Sequence, residues 1–436
     1  MAKQKRKRSS PRTTNDRSTP TERYENPVEQ HADIWHNEFP TFLEEIKDYE
    51  NTNTKLDACF AFIKEAQRFG RLPRIYIPDG LPYGPGDATL EECDVVYLSE
   101  ALATEFLLNP LCSNKVIVIR DPRAASRWPT QTVDIQDFGQ PLGEVHCSRR
   151  CEVGQILEDL KDPNPRLTPE NPPRNLLDLA PRNCFYRPTC LTSDRFTILN
   201  ELLFEEQCHA RNSISKQPIR RVGVVTTGRE NKEDIHLNFA ILGQAYASSG
   251  FHKDSSGFGA FIRCVFGIKL WPILTTLNIQ QSTRFEVEGE KWIPEDDHSV
   301  PIVSVFPGDT LIMLAGNANV HGPITLQNCY MEGGNFWDDK RLLEILGQIK
   351  NEWQNPITTN EYLPFHLRGI VQAIYRREQF YNRIPLQALC LEILRIFGFC
   401  ECKSQCSKQC KCKREGRLCT AACTATSHSH RDCVMP

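Results

Sequence analysis

Apolar residues near the start of the chain recur at helical intervals. Between Ile34 and Phe69 they follow this spacing on both sides of a polar Asn-Thr-Asn-Thr break, which predicts two amphipathic helices. Between Arg74 and Asp121, short β-like runs (RIYIP, DVVYL, NKVIVIRDP) surround a helical stretch near residues 98–108. This part of the chain is therefore predicted to be mixed α/β.

The central part of the chain has a strand-like pattern. Repeated prolines between residues 155 and 190 predict a long surface connection, which either wraps a barrel or marks an insertion. From Val222 to Phe336, short apolar runs alternate with glycine and polar turns (RVGVVTT, GAFIRCVFGIKLWPIL, TRFEVEG, VPIVSVFPGDTLIML). Such spacing is typical of a β-barrel or sandwich. After Trp337 the pattern becomes helical again, in LLEILGQI, LRGIVQAIYRREQFY and LQALCLEILRIFGF.

Composition places the chain among ordinary globular proteins. Its 436 residues are 40% hydrophobic and 25% charged, enough to bury a substantial core. Apolar runs fall short of the roughly 18 to 20 residues that a membrane span needs. The first residues, MAKQKRKRSSPR, lack the apolar core of a signal peptide. An intracellular protein without a membrane partner is expected.

The net charge of −3 is unevenly distributed. Residues 1–23 carry a net charge of +6 and residues 400–436 one of +4. Basic ends favour an anionic partner such as nucleic acid, although a short basic tail is often only a solvated end. The cluster from Lys3 to Arg8 predicts nuclear targeting, and residues 1–29 have the polar composition of a disordered segment.

One polar triplet has the spacing of metal ligands. His252 and Asp254 are two residues apart, so in a strand both side chains would point to the same face. A second histidine would complete the two-histidine, one-carboxylate set of non-haem Fe(II) oxygenases, which leaves positions open for a co-substrate and O₂. His321 follows a strand entered through a Pro-Gly-Asp turn, and a barrel can bring it back. Taken singly, the His252–Asp254 pair also fits a polar strand end, and His321 also fits an exposed loop histidine.

Lys269 stands in the nearly all-apolar run CVFGIKLWPIL. A cation in such a strand must either pair with an anion or reach the surface.

At these residues the chain resembles the Jumonji C (JmjC) family of Fe(II)- and 2-oxoglutarate-dependent oxygenases. The resemblance implies a double-stranded β-helix core in which His252, Asp254 and His321 are the iron ligands. It implies that Lys269, 17 residues after His252, holds the distal carboxylate of 2-oxoglutarate, and that Ser249, three residues before His252, assists it. Oxidative decarboxylation of the co-substrate to succinate and CO₂ then drives attack on a substrate C–H bond.

Three further segments carry the same resemblance. The run EGGNFWDD is similar to a Gly-Gly-Asn-Phe segment that follows the barrel in chromatin-acting members of the family. NKVIVIRDPRAASRW resembles the strand that opens many such domains, and RNLLDL a segment before the barrel. Together these matches cover roughly residues 100–345 of the sequence.

Two features depart from the family pattern. Gly316 lies five residues before His321, where many members have a glycine three before, so the intervening loop is longer. Phe261 and Ile262 stand where relatives often place another polar contact to the co-substrate. These departures leave open an inactive barrel that serves as a scaffold.

Cysteines are concentrated at the C-terminus. Eight of the 19 lie between residues 400 and 433, and they are Cys400, Cys402, Cys406, Cys410, Cys412, Cys419, Cys423 and Cys433. In an intracellular chain such thiolates bind Zn(II), which stabilises a segment too short to form a core. Disulfide pairing is the alternative in an oxidising compartment. The other cysteines are scattered and are expected to be small buried hydrophobes.

The order of these cysteines resembles the tesmin-type CXC module, which shares several zinc ions among its cysteines and contacts DNA through basic residues. Ala425 stands where that module usually has a cysteine. Either His428 or His430 supplies the missing ligand, or the module holds fewer metal ions. Lysines and arginines interleave with the cysteines, as a phosphate-contacting surface requires.

The sequence thus predicts an α+β protein with a double-stranded β-helix core, flanking helices and a small zinc-bound C-terminal module. The predicted regions are 1–29 (basic tail), 30–99 (helical and mixed), 100–345 (oxygenase-like domain), 346–398 (helices) and 399–436 (zinc module). The expected function is a nuclear oxygenase using Fe(II), 2-oxoglutarate and Zn(II), which demethylates or hydroxylates a histone or another nuclear protein. The alternative is an inactive JmjC-like scaffold with a zinc-dependent DNA-binding module.

Overall fold

A computed structural model describes most of the chain between the two basic ends. The described residues are 25–52, 57–121, 167–168, 172–179, 186–214, 237–359 and 367–396. The predicted zinc module, the run RVGVVTT and nearly all of the predicted basic tail lie outside these ranges.

Helices and strands alternate in chain order. The helices are α1 (Pro27–Asp33), α2 (Phe39–Thr52), α3 (Asp57–Phe69), α4 (Glu100–Leu108), α5 (Asp194–Ile214), α6 (Ile279–Glu288), α7 (Leu342–Gln354), α8 (Leu367–Arg376) and α9 (Ile384–Ile396). The strands are β1 (Gly70–Arg71), β2 (Ile75–Tyr76), β3 (Val95–Leu98), β4 (Val116–Arg120), β5 (Asn175–Leu179), β6 (Asn238–Gly243), β7 (Gly259–Phe266), β8 (Lys269–Leu274), β9 (Val300–Val305), β10 (Asp309–Met313), β11 (Val320–His321), β12 (Ile324–Thr325) and β13 (Cys329–Phe336).

The N-terminal helices agree with the sequence pattern, with one difference. Helices α2 and α3 lie on either side of the Asn-Thr-Asn-Thr break, as predicted. Helix α1, however, begins inside the segment predicted to be disordered. Asn26 caps it by accepting a hydrogen bond from the Val28 backbone N–H, and Pro27 occupies the first turn, a combination that favours helix initiation.

Two β-sheets form the centre of the molecule. The larger has the strand order β2-β3-β4-β10-β7-β13-β6-β5, and the smaller the order β1-β9-β8-β11, with β12 also paired to β8. Strands β2, β3 and β4 run parallel to one another, whereas the rest of the large sheet is antiparallel. The predicted boundary near residue 100 falls between the paired strands β3 and β4, so residues on both sides of it contribute to one sheet.

The two sheets share a buried apolar core. Alternate residues of β7 (Ile262, Cys264), β8 (Trp271, Ile273) and β9 (Val303, Val305) belong to one cluster, as the two-residue side-chain period of strands requires. The architecture is therefore mixed α+β, with sheets arranged in a way that is compatible with a β-sandwich.

The interpretation of TRFEVEG as a strand was wrong, because these residues belong to α6. Asn278 accepts a hydrogen bond from the Gln281 backbone N–H, and the Gln281 side chain accepts one from the Asn278 backbone N–H. This reciprocal capping box starts a helix. Gly289 then ends the helix with a positive φ of 57°, a conformation that glycine adopts readily.

The C-terminal helices predicted from the pattern are confirmed as α7, α8 and α9. They share an apolar core with α5, to which Leu202, Ile345, Ile370 and Ile393 contribute. Helix α7 begins at Leu342, six residues after the last strand ends at Phe336, and also packs against the turn Ser255–Gly257.

Six cysteines whose side chains the structure describes are buried and free, namely Cys93, Cys112, Cys190, Cys264, Cys329 and Cys390. This fits their expected use as small hydrophobes. Among the helices described, none combines the length and apolar character needed to cross a bilayer.

Candidate metal centre

His252, Asp254 and His321 come together in the structure. One potential ligand atom from each lies within 4.8 Å of the others, and the Nε2 atom of His321 is 3.7 Å from Oδ1 of Asp254. Both histidines are buried, with 5% and 3% of their surfaces exposed, respectively. The predicted convergence of these three residues, which are up to 69 positions apart, is confirmed.

Backbone hydrogen bonds bring the two histidines side by side. The His252 N–H donates to the His321 carbonyl over 3.0 Å, and the His321 N–H donates to the His252 carbonyl over 2.9 Å. This pair is an isolated antiparallel bridge. Asp254 is not in a regular strand but precedes the 3₁₀ turn Ser255–Gly257, in extended conformation with φ −65° and ψ 143°. The loop lengthened around Gly316 thus does not prevent His321 from reaching His252.

Each imidazole ring is oriented by a backbone carbonyl. The Nδ1 atom of His252 lies 2.8 Å from the Gly250 oxygen, and Nδ1 of His321 lies 2.7 Å from the Asn319 oxygen. Donation from Nδ1–H fixes the tautomer in which Nε2 keeps its lone pair. Metal-binding histidines commonly have this arrangement, so both Nε2 atoms are suited to bind a metal ion.

Burial shifts the pKa values of His321 and Asp254. It lowers the pKa of His321 to about 4, with Lys269 acting in the same direction and the bond to Asn319 opposing. The ring is therefore neutral at neutral pH, as a metal ligand must be. Burial also raises the pKa of Asp254, and His252 partly offsets this effect. A divalent cation would favour the ionised carboxylate.

Lys269 is buried in the same region, with only 1% of its surface exposed. Its Nζ donates to Oδ1 of Asn175 over 3.3 Å and lies 5.9 Å from the centre of the Trp271 ring. In the part of the chain that the structure describes, it forms no ion pair with a carboxylate. Burial lowers its pKa, which is the cost of a buried ammonium group that has no anion beside it.

Asn175, a residue that the sequence analysis did not identify, links Lys269 to Ser249. The Nδ2 of Asn175 donates to the Ser249 hydroxyl over 3.4 Å, while its Oδ1 accepts from Lys269. Asn175 is the first residue of β5, and the available signal was a polar residue at the start of the RNLLDL run. The two predicted co-substrate residues therefore lie in one polar cluster.

Trp271 lies between Lys269 and the histidines. Its ring centre is 5.5 Å from that of His321, and its buried Nε1–H has no hydrogen-bond partner within the described ranges. Ile262 belongs to the same inter-sheet core, whereas Phe261 packs on the outer side of the sheet. The position where relatives place a polar contact is thus apolar here.

A buried acid on α7 was also missed. Glu352 accepts hydrogen bonds from the backbone N–H groups of Ser256 and Gly257, over 2.6 and 3.1 Å. Since these residues lie two and three positions after Asp254, helix α7 packs against the backbone next to the candidate metal centre. The predicted zinc ligands, Cys400 to Cys433, lie outside the described residues, so the zinc module stays a prediction.

Fold and site together define an α+β protein with a buried His-Asp-His site that could hold a metal ion. No protein-family model matches the chain. The chain is similar to KK-1 biosynthesis cluster protein D of Curvularia clavata, with 31% identity over 146 residues. This match covers 34% of the chain and only 14% of the relative's own length.

Proposed function

We propose that the chain is an Fe(II)- and 2-oxoglutarate-dependent oxygenase of the JmjC type, with a double-stranded β-helix as its metal-binding core. The observation that carries the proposal is the buried triad of His252, Asp254 and His321, in which a backbone carbonyl orients each histidine ring through its Nδ1 atom. Lys269, buried without a carboxylate partner among the described residues, supports it further, because 2-oxoglutarate would supply that carboxylate.

The residues present fit the proposed iron and its co-substrate. Two neutral imidazoles and one carboxylate are the ligand set of non-haem Fe(II) oxygenases. Bound iron, with 2-oxoglutarate and O₂, supplies the oxidation of an unreactive C–H bond. The chain itself would hold the metal through His252, Asp254 and His321. Lys269 would pair with the distal carboxylate, and the Ser249 hydroxyl would assist it.

The apolar surroundings would serve the same chemistry. Trp271 and Ile273 line the buried side of β8 next to His321 and would keep bulk water away from the co-substrate. In a site with little water, the attraction between Lys269 and a carboxylate is stronger than at the surface. The unpartnered Trp271 N–H is a second buried donor that could face a polar ligand.

A histone or another nuclear protein is the proposed substrate. The first five residues of the segment that resembles chromatin-acting relatives (EGGNF) form the end of β13, which pairs with β7. Residues 24–399 carry a net charge of −13, which favours a basic protein tail as partner. The basic N-terminal cluster and the cysteine-rich tail would supply nuclear targeting, zinc binding and weak contact with nucleic acid.

A second candidate function is the same type of oxygenase reaction on a different class of substrate. The similarity to a protein named for a biosynthesis cluster favours an oxygenase that acts on an intermediate of such a cluster. An inactive scaffold with a zinc-dependent DNA-binding module is the remaining alternative.

The test uses the purified full chain with Fe(II), 2-oxoglutarate and O₂, and measures succinate. We expect succinate from the wild-type chain, more of it when a methylated histone peptide is added, and none from His252→Ala. Succinate that does not respond to any histone peptide would favour the biosynthetic substrate. If the wild-type chain neither forms succinate nor binds 2-oxoglutarate with Fe(II) under anaerobic conditions, the oxygenase proposal is wrong. The inactive scaffold would then be the remaining function.

A further inference from the structure

Asp254 is held differently from the two histidine ligands. The histidine rings are fixed by hydrogen bonds from their own Nδ1 atoms. Asp254 precedes the turn Ser255–Gly257 without a side-chain hydrogen bond to it. The position of its carboxylate therefore depends on the backbone on both sides of it.

The C-terminal part of the chain holds that backbone on both sides. Before Asp254, the Lys253 N–H donates to the Thr358 carbonyl over 3.0 Å. After it, the N–H groups of Ser256 and Gly257 point at the two carboxylate oxygens of Glu352. Glu352 lies in α7 and exposes only 2% of its surface.

The turn adopts a conformation that its surroundings must maintain. Ser256 has a φ of 63°, which is unfavourable for a residue with a Cβ atom. The Ser256 carbonyl accepts a hydrogen bond from the Trp337 indole N–H over 3.1 Å. Gly257 also has a positive φ, and a Cβ there would lie 2.8 Å from the Ile345 carbonyl oxygen. The turn is therefore fixed between Trp337 and α7.

A carboxylate at position 352 does what an apolar residue could not. Its two oxygens accept two neighbouring N–H groups that would otherwise be buried without partners. Helix packing alone would be served equally well by leucine, without the cost of burying an acid. Burial raises the pKa of Glu352 to about 7, while the bonds to Ser256 and Gly257 oppose that rise.

We propose that Glu352 is a positioning residue for the metal centre, which fixes the ligand Asp254 by clamping the backbone of Ser256 and Gly257. The inference rests on the proposed metal site and extends it to α7. Residues that orient metal ligands typically change metal affinity by about 10- to 100-fold when they are replaced. The integrity of the site would thus depend on the C-terminal helices as well as on the sheets.

The experiment uses the full chain and Co(II), whose visible absorption reports the ligand geometry. Co(II) is titrated into wild type, Glu352→Gln and Glu352→Leu, and unfolding is followed in the same samples. Glutamine can accept only one of the two N–H groups, and leucine neither. We expect the dissociation constant for Co(II) to rise about 10- to 100-fold in the leucine variant, and less in the glutamine variant. The absorption at saturating Co(II) should change in the same order.

Ile349→Val is the matched control, because Ile349 is buried on the same helix and its replacement removes one methyl group but no hydrogen bond to the turn. It should keep the wild-type affinity and spectrum. Should Glu352→Leu not fold, Trp337→Phe removes another hydrogen bond to the turn and should weaken Co(II) binding in the same direction.

The outcomes separate the two proposals. Folded Glu352 variants with wild-type affinity and spectrum would overturn the positioning role and leave the metal site in place. An equal loss of affinity in Ile349→Val would reduce Glu352 to general helix packing and also overturn it. A wild-type chain that binds no Co(II) would overturn both the positioning role and the metal site.

Discussion

At the candidate metal centre, both histidine rings are buried and are oriented by backbone hydrogen bonds. Burial keeps His321 neutral, and the carbonyls of Gly250 and Asn319 direct the Nε2 atoms away from the backbone. Both effects prepare the rings to bind a cation before it arrives. This preparation lowers the ordering cost of metal binding.

The double variant His252→Ala, Asp254→Ala should lose Fe(II) binding and keep the fold, because one remaining ligand cannot hold the metal. Metal content by mass spectrometry and thermal unfolding provide the measurements. The pair His36→Ala, Asp33→Ala, which removes an exposed histidine and aspartate elsewhere, is the control and should bind Fe(II) normally. Undiminished iron in the first double variant would contradict the ligand assignment.

Lys269→Met should weaken 2-oxoglutarate binding by about 3 kcal/mol or more, as for one partner removed from a buried ion pair. Without co-substrate, the free energy of unfolding should hold or rise, because an unpaired buried charge has been removed. Anaerobic titration of 2-oxoglutarate, or of its N-oxalyl analogue, into the Fe(II) protein is the measurement.

Lys269→Arg should also bind the co-substrate weakly, because a planar guanidinium does not replace a compact ammonium group. Lys47→Met, at an exposed position, should bind as wild type does. Equal affinity of wild type and Lys269→Met would show that Lys269 does not contact the co-substrate and would favour the scaffold.

At the scale of elements, His31 joins α1 to the small sheet. Its Nδ1 lies 2.8 Å from the Pro27 carbonyl oxygen, and its Nε2 accepts a hydrogen bond from the Ser304 backbone N–H in β9 over 3.1 Å. Only a neutral ring can do both. Burial lowers the pKa of His31 to about 3, the Pro27 bond opposes this, and Arg120 adds to the lowering.

This contact predicts a pH dependence of stability. Above the unfolded pKa of about 6.5 the ring is neutral in both states and its contribution is complete. As the pH falls from there towards 3, only the unfolded chain gains the proton, so the free energy of unfolding decreases by up to about 1.4 kcal/mol per pH unit.

Urea unfolding between pH 7 and pH 4 provides the measurement. His31→Gln should show a shallower loss of stability than wild type, because it removes the titrating group. His36→Gln, which replaces an exposed histidine five residues later, is the control and should follow the wild-type curve. Parallel curves for all three proteins would show that His31 does not link α1 to β9 as a neutral ring.

At the scale of the whole molecule, the metal centre draws on distant parts of the chain. His321 comes from β11 of the small sheet, Asn175 from the edge strand of the large sheet, and Glu352 from the C-terminal helices. The cysteine-rich tail lies outside the described residues, and each residue of the proposed iron site precedes residue 397 in the sequence. Iron binding and zinc binding are therefore expected to be separable.

A chain that ends at residue 396 should keep its iron site and lose its zinc. The full chain should contain more than one Zn(II), because eight thiolates exceed what one tetrahedral ion can bind. Metal content of both proteins after dialysis is the measurement, and Co(II) titration monitors the iron site. If the full chain contains no zinc, the prediction of a CXC-like zinc module is wrong. A shortened chain that is folded but cannot bind Co(II) would contradict the separation.

Local patterns in the sequence determined most of the elements. Helical periodicity predicted α2, α3 and α7 to α9, and runs of apolar residues predicted β7 to β10, because burial against one face imposes these periods. The convergence of the candidate metal ligands could also be predicted, since His252 and Asp254 lie close in sequence and the three residue types are those of a metal site. Helix α6 was missed because its segment TRFEVEG also has the pattern of a short β-strand. The reciprocal capping box at Asn278 favours the helix instead.

The tertiary structure alone decided which distant residues meet. The sequence does not give strand order, so it could not show that β1 to β3 join the two central sheets. Nor could it show that Asn175 bonds to Lys269, or that Glu352 reaches the turn after Asp254. These contacts connect residues 94 to 96 positions apart, and no local pattern records them. They form because buried polar groups must find hydrogen-bond partners wherever packing brings the chain together.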